Sequence, residues 1–124
     1  MLAGVDWLAV GAGFILAFGV GWFWYSPKGF YPAWSASSGV RHAPSDPMGA
    51  AFGSLILGLA LYSAFVGVMV ARGMTEPLIL GILAFIVMGY SNNAFKKLGA
   101  VSRTVDAGSW AASGTLMLLA QWLI

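Results

Sequence analysis

Few residues of this chain are of types that carry chemistry. Its 124 residues include four acids, six basic residues, a single histidine (His42) and no cysteine. Without cysteine, disulfides, thiolate nucleophiles and cysteine-ligated metals are excluded, and one histidine does not make a metal site. No Ser/His/acid set or paired carboxylates can be assembled, and the GAG stretch at Gly11 lies in an apolar segment rather than at a phosphate loop. We therefore predict no catalytic residues, no metal and no cofactor.

Asp106 is the acid with the clearest alternative roles. It follows Thr104 by two residues at the predicted start of the last helix. There Thr104 can act as the N-cap, and the helix dipole favours a carboxylate in the first turn. The alternative is a proton-relay acid, which would require Asp106 to face inward at depth. Asn92 and Asn93 close the preceding helix, where we expect structural hydrogen bonds rather than a polar entrance.

The composition indicates that helices in a membrane must position these residues. The chain is 60% hydrophobic and 8% charged, whereas a soluble domain carries about a quarter charged residues. Too few polar residues remain to cover a water-facing surface. The six basic residues are also too scattered for a nucleic-acid surface. We predict an integral membrane protein.

Four segments are apolar over the roughly 20 residues that a membrane-crossing helix needs. We predict an all-α, four-transmembrane-helix bundle that forms a single domain over residues 1–124. The predicted helices cover about 5–25, 48–71, 76–95 and 104–124, with a short interfacial helix over about 28–36. The N-terminus MLAGVDW has no basic region typical of a signal peptide, so we expect the first helix to be retained, with Asp6 supporting its start.

The basic residues predict the orientation. Five of them fall in the first and third connections: Lys28, Arg41, Lys96, Lys97 and Arg103. Only Arg72 lies in the second connection. Because basic residues are retained on the cytoplasmic side, both termini are predicted to lie on the outer side.

Aromatic residues crowd the end of the first predicted helix in the stretch WFWYSPKGFYPAW, Trp22 to Trp34. Amphipathic rings at helix ends are typical of membrane–water interfaces. We therefore predict seven interface anchors, namely Trp7, Trp22, Trp24, Tyr25, Trp34, Trp110 and Trp122. A site for a lipid or hydrophobic pigment within the cluster remains the alternative.

Small residues recur along the first two predicted helices. The helix-packing candidates are Ala9, Gly13, Ala17 and Gly21 in the first, and Gly49, Gly53 and Gly58 in the second. Small residues on one face let helix backbones approach closely in lipid. We expect packing within the bundle for the second helix. For the first helix, bundle packing and association with a partner both remain open.

Four short motifs carry a family resemblance: DWLAV from Asp6, WYSP from Trp24, NNAF from Asn92 and DAGSW from Asp106. Together they resemble the domain of unknown function family 1761, small bacterial membrane proteins predicted to have four helices. The resemblance covers nearly the whole chain and implies this fold in a bacterial inner membrane, without an established activity. If the family shares a polar feature, it implies one hydrogen-bonded cluster at the inner helix ends, formed by Tyr25, Ser26, Asn92, Asn93 and Asp106.

These observations favour a non-enzymatic accessory or structural subunit that packs against partner helices in a larger bacterial membrane complex, or a homo-oligomer. The alternative is a small dimeric transporter or channel with a polar mouth near Asn92 and Asp106. Lipid surrounds the protein in either case, and no nucleic-acid partner is expected.

Overall fold

The computed structural model describes residues 2–41 and 47–124. This part of the chain forms five α-helices and contains no strand. The helices are α1 (Trp7–Trp24), α2 (Tyr31–Ser38), α3 (Gly49–Ala71), α4 (Thr75–Phe95) and α5 (Ala100–Leu123). The predicted all-α class is therefore confirmed. His42 lies outside the described residues.

Local sequence accounts for several helix ends. The Asp6 carboxylate caps α1 by accepting a hydrogen bond from the Ala9 backbone N–H at 3.1 Å, which satisfies a donor that the first turn cannot pair itself. The α2 helix ends at Gly39, and the tight turn from α3 to α4 passes through Gly73. Both glycines have positive φ angles, 77° and 68°, a backbone conformation that glycine adopts without a steric penalty.

The α5 helix forms the centre of the bundle and contacts every other helix. It runs antiparallel to α1: the Trp24 indole bonds the Val105 carbonyl near one end, and Gly13 lies against Met117 further along. The α3 helix runs parallel to α5, and α4 returns antiparallel to it. The three longer neighbours therefore surround α5 over most of its length.

Three helices of the described chain, α1, α3 and α4, are long and apolar enough to cross a membrane, so the prediction of four such helices is wrong. The α5 helix has sufficient length, 24 residues, but too many polar side chains. These side chains face the interior, since Ser102, Ser109 and Ser113 are all buried. Because α5 packs against the other helices, its polar groups can hydrogen-bond within the bundle instead of meeting lipid.

The N-terminus of α5 also corrects a prediction. The helix begins at Ala100, so Thr104 is not its N-cap and Asp106 lies beyond its first turn. The Thr104 hydroxyl instead donates to the Ala100 carbonyl at 2.9 Å. The extra turn is held by α2: the Gly99 N–H donates to the Ser37 carbonyl, and the Ser37 hydroxyl accepts from the Ser102 N–H. A tertiary contact, not a local capping signal, decides this end.

The small residues of α1 and α3 have different surroundings. Ala9 and Ala17 are fully buried, and a Cβ on Gly13 would lie 3.0 Å from the Met117 Cα. The first stripe thus packs inside the bundle along most of its length. By contrast, a Cβ added at Gly21 would meet nothing within 4 Å. The same holds for the three candidates of α3, Gly49, Gly53 and Gly58, so the expected bundle packing does not include them.

Candidate functional site

A hydrogen-bonded cluster around Asp106 joins four helices at one end of the bundle. The Tyr25 hydroxyl and the Trp34 indole Nε1 both donate to Asp106 Oδ1, at 2.5 Å and 3.0 Å. The Asn93 amide Nδ2 donates to Oδ2 at 2.9 Å. These donors come from the end of α1, from α2 and from the end of α4, while Asp106 itself is on α5. A single carboxylate therefore holds the ends of all four elements together.

Aromatic packing supports this geometry. The Trp24 indole donates to the Val105 carbonyl at 2.9 Å and lies over Gly108, where an added Cβ would be 2.9 Å from the ring. The rings of Tyr25 and Trp34 meet edge to face, with centroids 5.8 Å apart. Edge-to-face pairs are a favourable ring geometry, so both donors are held where they reach the same oxygen.

The Asp106 carboxylate is satisfied by neutral donors. Among the described residues it forms no ion pair, and the nearby Arg103 guanidinium instead lies 5.0 Å from the centre of the Tyr90 ring. Tyr25 follows the last residue of α1, and burial, together with its hydrogen bond to Asp106, raises the pKa of its hydroxyl well above the usual range.

A partly open cavity of about 520 Å³ adjoins the cluster, between α1, the N-terminal half of α3 and α5. Its walls are mainly apolar and aromatic, including Phe18, Trp22 and Phe52. The side chains of Tyr25 and Trp34 also line it, so the cluster forms part of its wall. A cavity of this size with few polar groups matches the general form of a small-molecule site. We call it the α1/α3 cavity.

A second cavity of about 510 Å³ lies between α3, α4 and α5 and adjoins the first at Leu55, Leu59, Trp110 and Ser113. Gly58 of α3 and Gly81 of α4 line it, with Leu61 and Phe65 on the α3 wall. Its walls on α3 and α4 begin at Phe65 and Gly81, beyond the fully buried Val66 and Leu78, which are nearer the connecting turn in sequence. We call it the α3/α4 groove.

The structure brings together three of the five residues of the predicted polar cluster, Tyr25, Asn93 and Asp106. Ser26 bonds locally instead, its hydroxyl donating to the Phe23 carbonyl at 2.7 Å. Asn92 is exposed, whereas the adjacent Asn93 is buried. Neighbouring residues on a helix point about 100° apart, so only one of the two asparagines can face Asp106.

The seven predicted interface anchors fall into two groups. Trp7, Trp22 and Trp122 are at least half exposed, as side chains at a lipid interface would be. The other four make contacts inside the bundle, and these are Trp24, Tyr25, Trp34 and Trp110. Trp110 fills the space beside Gly89, where an added Cβ would be 2.3 Å from the ring.

Two features of the site were missed by sequence reasoning. The sequence predicts Trp34 as an interface anchor or part of a lipid or pigment site, but not as a donor to Asp106, which its indole N–H is. The buried residues Ser102, Ser109 and Ser113 were not singled out, although with Asp106 they recur every three or four residues along α5. That spacing places them on one helical face, and it was a usable signal.

Comparison with models of known families, with curated proteins and with solved structures finds no match to this chain. The resemblance to the domain of unknown function family 1761 therefore stays a prediction. Within the described residues, no group of three His, Cys, Asp or Glu side chains lies close enough to hold a metal ion. The class that the structure supports is a helical protein with three candidate membrane-crossing helices.

Proposed function

We propose that this chain is a non-enzymatic membrane subunit that packs against a helix of another membrane protein through the α3/α4 groove. The observation that carries the proposal is the unequal use of small residues. Ala9, Gly13 and Ala17 pack against other helices inside the bundle. Gly58 and Gly81 instead line an unfilled groove.

The groove has small residues on both walls, which is the surface against which a membrane helix packs closely. An added Cβ at Gly58 would meet no atom within 4 Å, and one at Gly81 would meet only the Phe65 ring, at 3.8 Å. In lipid no hydrophobic effect drives helices together, so close backbone approach at small residues supplies much of the association energy. Glycines on both walls would allow a third helix to lie between α3 and α4.

The proposal includes a topology. We infer that α5 crosses the membrane beside α1, α3 and α4, shielded by them, in the inner membrane of a bacterium with both termini outside. The support is the side-by-side course of α1 and α5 and the distribution of basic residues. Lys28, Lys96, Lys97 and Arg103 lie near the Asp106 end of the bundle, although Arg103 belongs to α5 and not to a connection. Basic residues favour the cytoplasmic side.

The transporter alternative has less support from the geometry. Its polar mouth was placed near Asn92 and Asp106, but Asn92 points away from the carboxylate, and both Asp106 oxygens accept hydrogen bonds from the bundle. The helix-packing role is therefore the better proposal.

Site-specific photo-crosslinking in native membranes tests it. A diazirine amino acid replaces Leu61 in the groove or, as a control, Leu80 on α4 outside it. The two positions are similarly exposed, 62% and 70%, so lipid reaches both. We expect a discrete adduct with one other membrane protein from position 61 and none from position 80.

Gly58→Leu should abolish the adduct by filling the groove, whereas Gly19→Leu, at an open position of α1, should preserve it. An adduct only with a second copy of this chain would replace the accessory role by self-association. No adduct from position 61, or equal adducts from both positions, would refute packing through the groove.

A further inference from the structure

The α1/α3 cavity has an unusual combination of aromatic walls and nearby negative charge. Seven of its lining residues are aromatic: Phe18, Trp22, Tyr25, Tyr31, Trp34, Phe52 and Trp110. Its other described lining residues are aliphatic, small, hydroxyl-bearing or, at Met48, a thioether, and none of them is charged. Aromatic walls differ from aliphatic ones because each ring face carries the negative end of a quadrupole.

The charge comes from Asp106, directly behind two of the lining rings. Tyr25 and Trp34 both line the cavity and both donate to Asp106 Oδ1. Donation to an anion shifts electron density toward the ring faces, which already carry the negative end of the aromatic quadrupole. The carboxylate and the ring faces therefore both contribute a negative electrostatic potential to the cavity.

No cation of the described residues forms an ion pair with Asp106. Arg103, one turn before Asp106, lies instead against Tyr90. Among the described residues, no Lys, Arg or His lines the cavity. In a partly enclosed site, the field of a carboxylate is screened less than at an open protein surface, and cations gain more from aromatic faces as they lose water. An anionic ligand would be repelled by both features.

We infer that the α1/α3 cavity binds a free lipophilic organic cation, such as a quaternary ammonium or phosphonium with an apolar body. The apolar body packs against Phe18, Phe52 and neighbouring aliphatic side chains, and the positive centre lies near the Tyr25 and Trp34 rings. The cavity shares Leu55, Leu59, Trp110 and Ser113 with the α3/α4 groove but is lined by α1 and α2 instead of α4. Its test uses Asp106 and Phe52, which do not line the groove, so it can fail independently of the partner-helix proposal.

Equilibrium dialysis with two ions of matched shape tests the inference. Tetraphenylphosphonium and tetraphenylborate have nearly the same size and apolar surface but opposite charge. The purified chain in an uncharged detergent is dialysed against each radiolabelled ion, with protein-free micelles as the blank. We expect saturable, protein-dependent binding of the phosphonium and none of the borate. Equal binding of both ions would overturn the inference, because it would show a merely apolar cavity.

Variants separate the charge from the fold. Asp106→Asn should weaken phosphonium binding about tenfold or more, because it removes the charge, whereas Asp6→Asn, at the other end of α1, should not. Phe52→Leu breaks no hydrogen bond of the cluster and should weaken binding about threefold through the lost ring. Its control, Phe23→Leu, alters an exposed ring outside the cavity.

Two results would contradict the site directly. The first result is phosphonium binding that is unchanged in both Asp106→Asn and Phe52→Leu. If Asp106→Asn does not fold, Phe52→Leu alone provides this test. The second is displacement of the phosphonium by a short-chain phosphocholine lipid at equal concentration, which would assign the cavity to a lipid headgroup instead of a free cation.

Discussion

Replacing Asp106 with alanine removes the one acceptor shared by three helices. The Tyr25 hydroxyl, the Trp34 indole N–H and the Asn93 amide would each lose a bond of 2.5–3.0 Å. Tyr25 also has a side-chain hydrogen bond with Ser109, so the low end of the expected cost applies to this donor. Asn93 is only 9% exposed, so its amide would also be poorly reached by water.

The expected loss in the free energy of unfolding can be worked out from the three donors that lose their acceptor. A buried donor left without its partner costs about 1–3 kcal/mol. Taking the low end for each of three half-buried or buried donors gives a loss of about 3 kcal/mol in the free energy of unfolding. Asp106→Asn should cost less, about 1 kcal/mol, because its side-chain oxygen still accepts from Tyr25 and Trp34.

The assay is unfolding of the purified chain in mixed micelles with increasing sodium dodecyl sulfate, followed by fluorescence of the six tryptophans. Asp6→Ala is the matched control, since it removes an acid whose single bond caps α1. It should cost about 1 kcal/mol. If Asp106→Ala unfolds no more readily than Asp6→Ala, the cluster does not hold the helix ends and the reasoning fails.

Two further outcomes are expected from the same unfolding assay. Gly89→Ala should destabilise the chain by about 1–3 kcal/mol, because the new Cβ would overlap the Trp110 ring. Its control, Gly11→Ala at an open position, should not destabilise the chain. Equal stability of the two variants would contradict the packing of Trp110 against Gly89. Stability should also fall as the pH rises above 10, the ordinary pKa of tyrosine, because the unfolded chain releases the Tyr25 proton while burial and Asp106 keep it bound in the folded state. Tyr25→Phe should show a shallower decline over pH 10–11, and an identical decline would refute this linkage.

The helix pattern could be predicted from the sequence because it depends on local quantities. Apolar runs of membrane length and the near-absence of charge identify α1, α3 and α4 without knowledge of their neighbours. The role of Asp6 at the start of α1 can also be predicted locally, because the backbone N–H that it caps, that of Ala9, is only three residues away. Local composition and short-range bonds are sufficient for such features.

The α5 helix shows where local reasoning stops. Its serines and Asp106 make α5 less hydrophobic on average than α1, α3 and α4. Their position inside the bundle depends on neighbours that surround α5. Likewise, the similar spacing of small residues in α1 and α3 gives no information about which stripe is buried, because that depends on how far apart the helices lie.

The sequence by itself determined that this chain is apolar, helical and suited to a membrane, because hydropathy and helix length are properties of consecutive residues. Only the tertiary structure decided the role of Asp106. Two of its partners, Tyr25 and Trp34, are 81 and 72 residues away along the chain. A hydrogen bond depends on distance in space, and only the packing of α1 and α2 against α5 brings these donors within reach of one carboxylate.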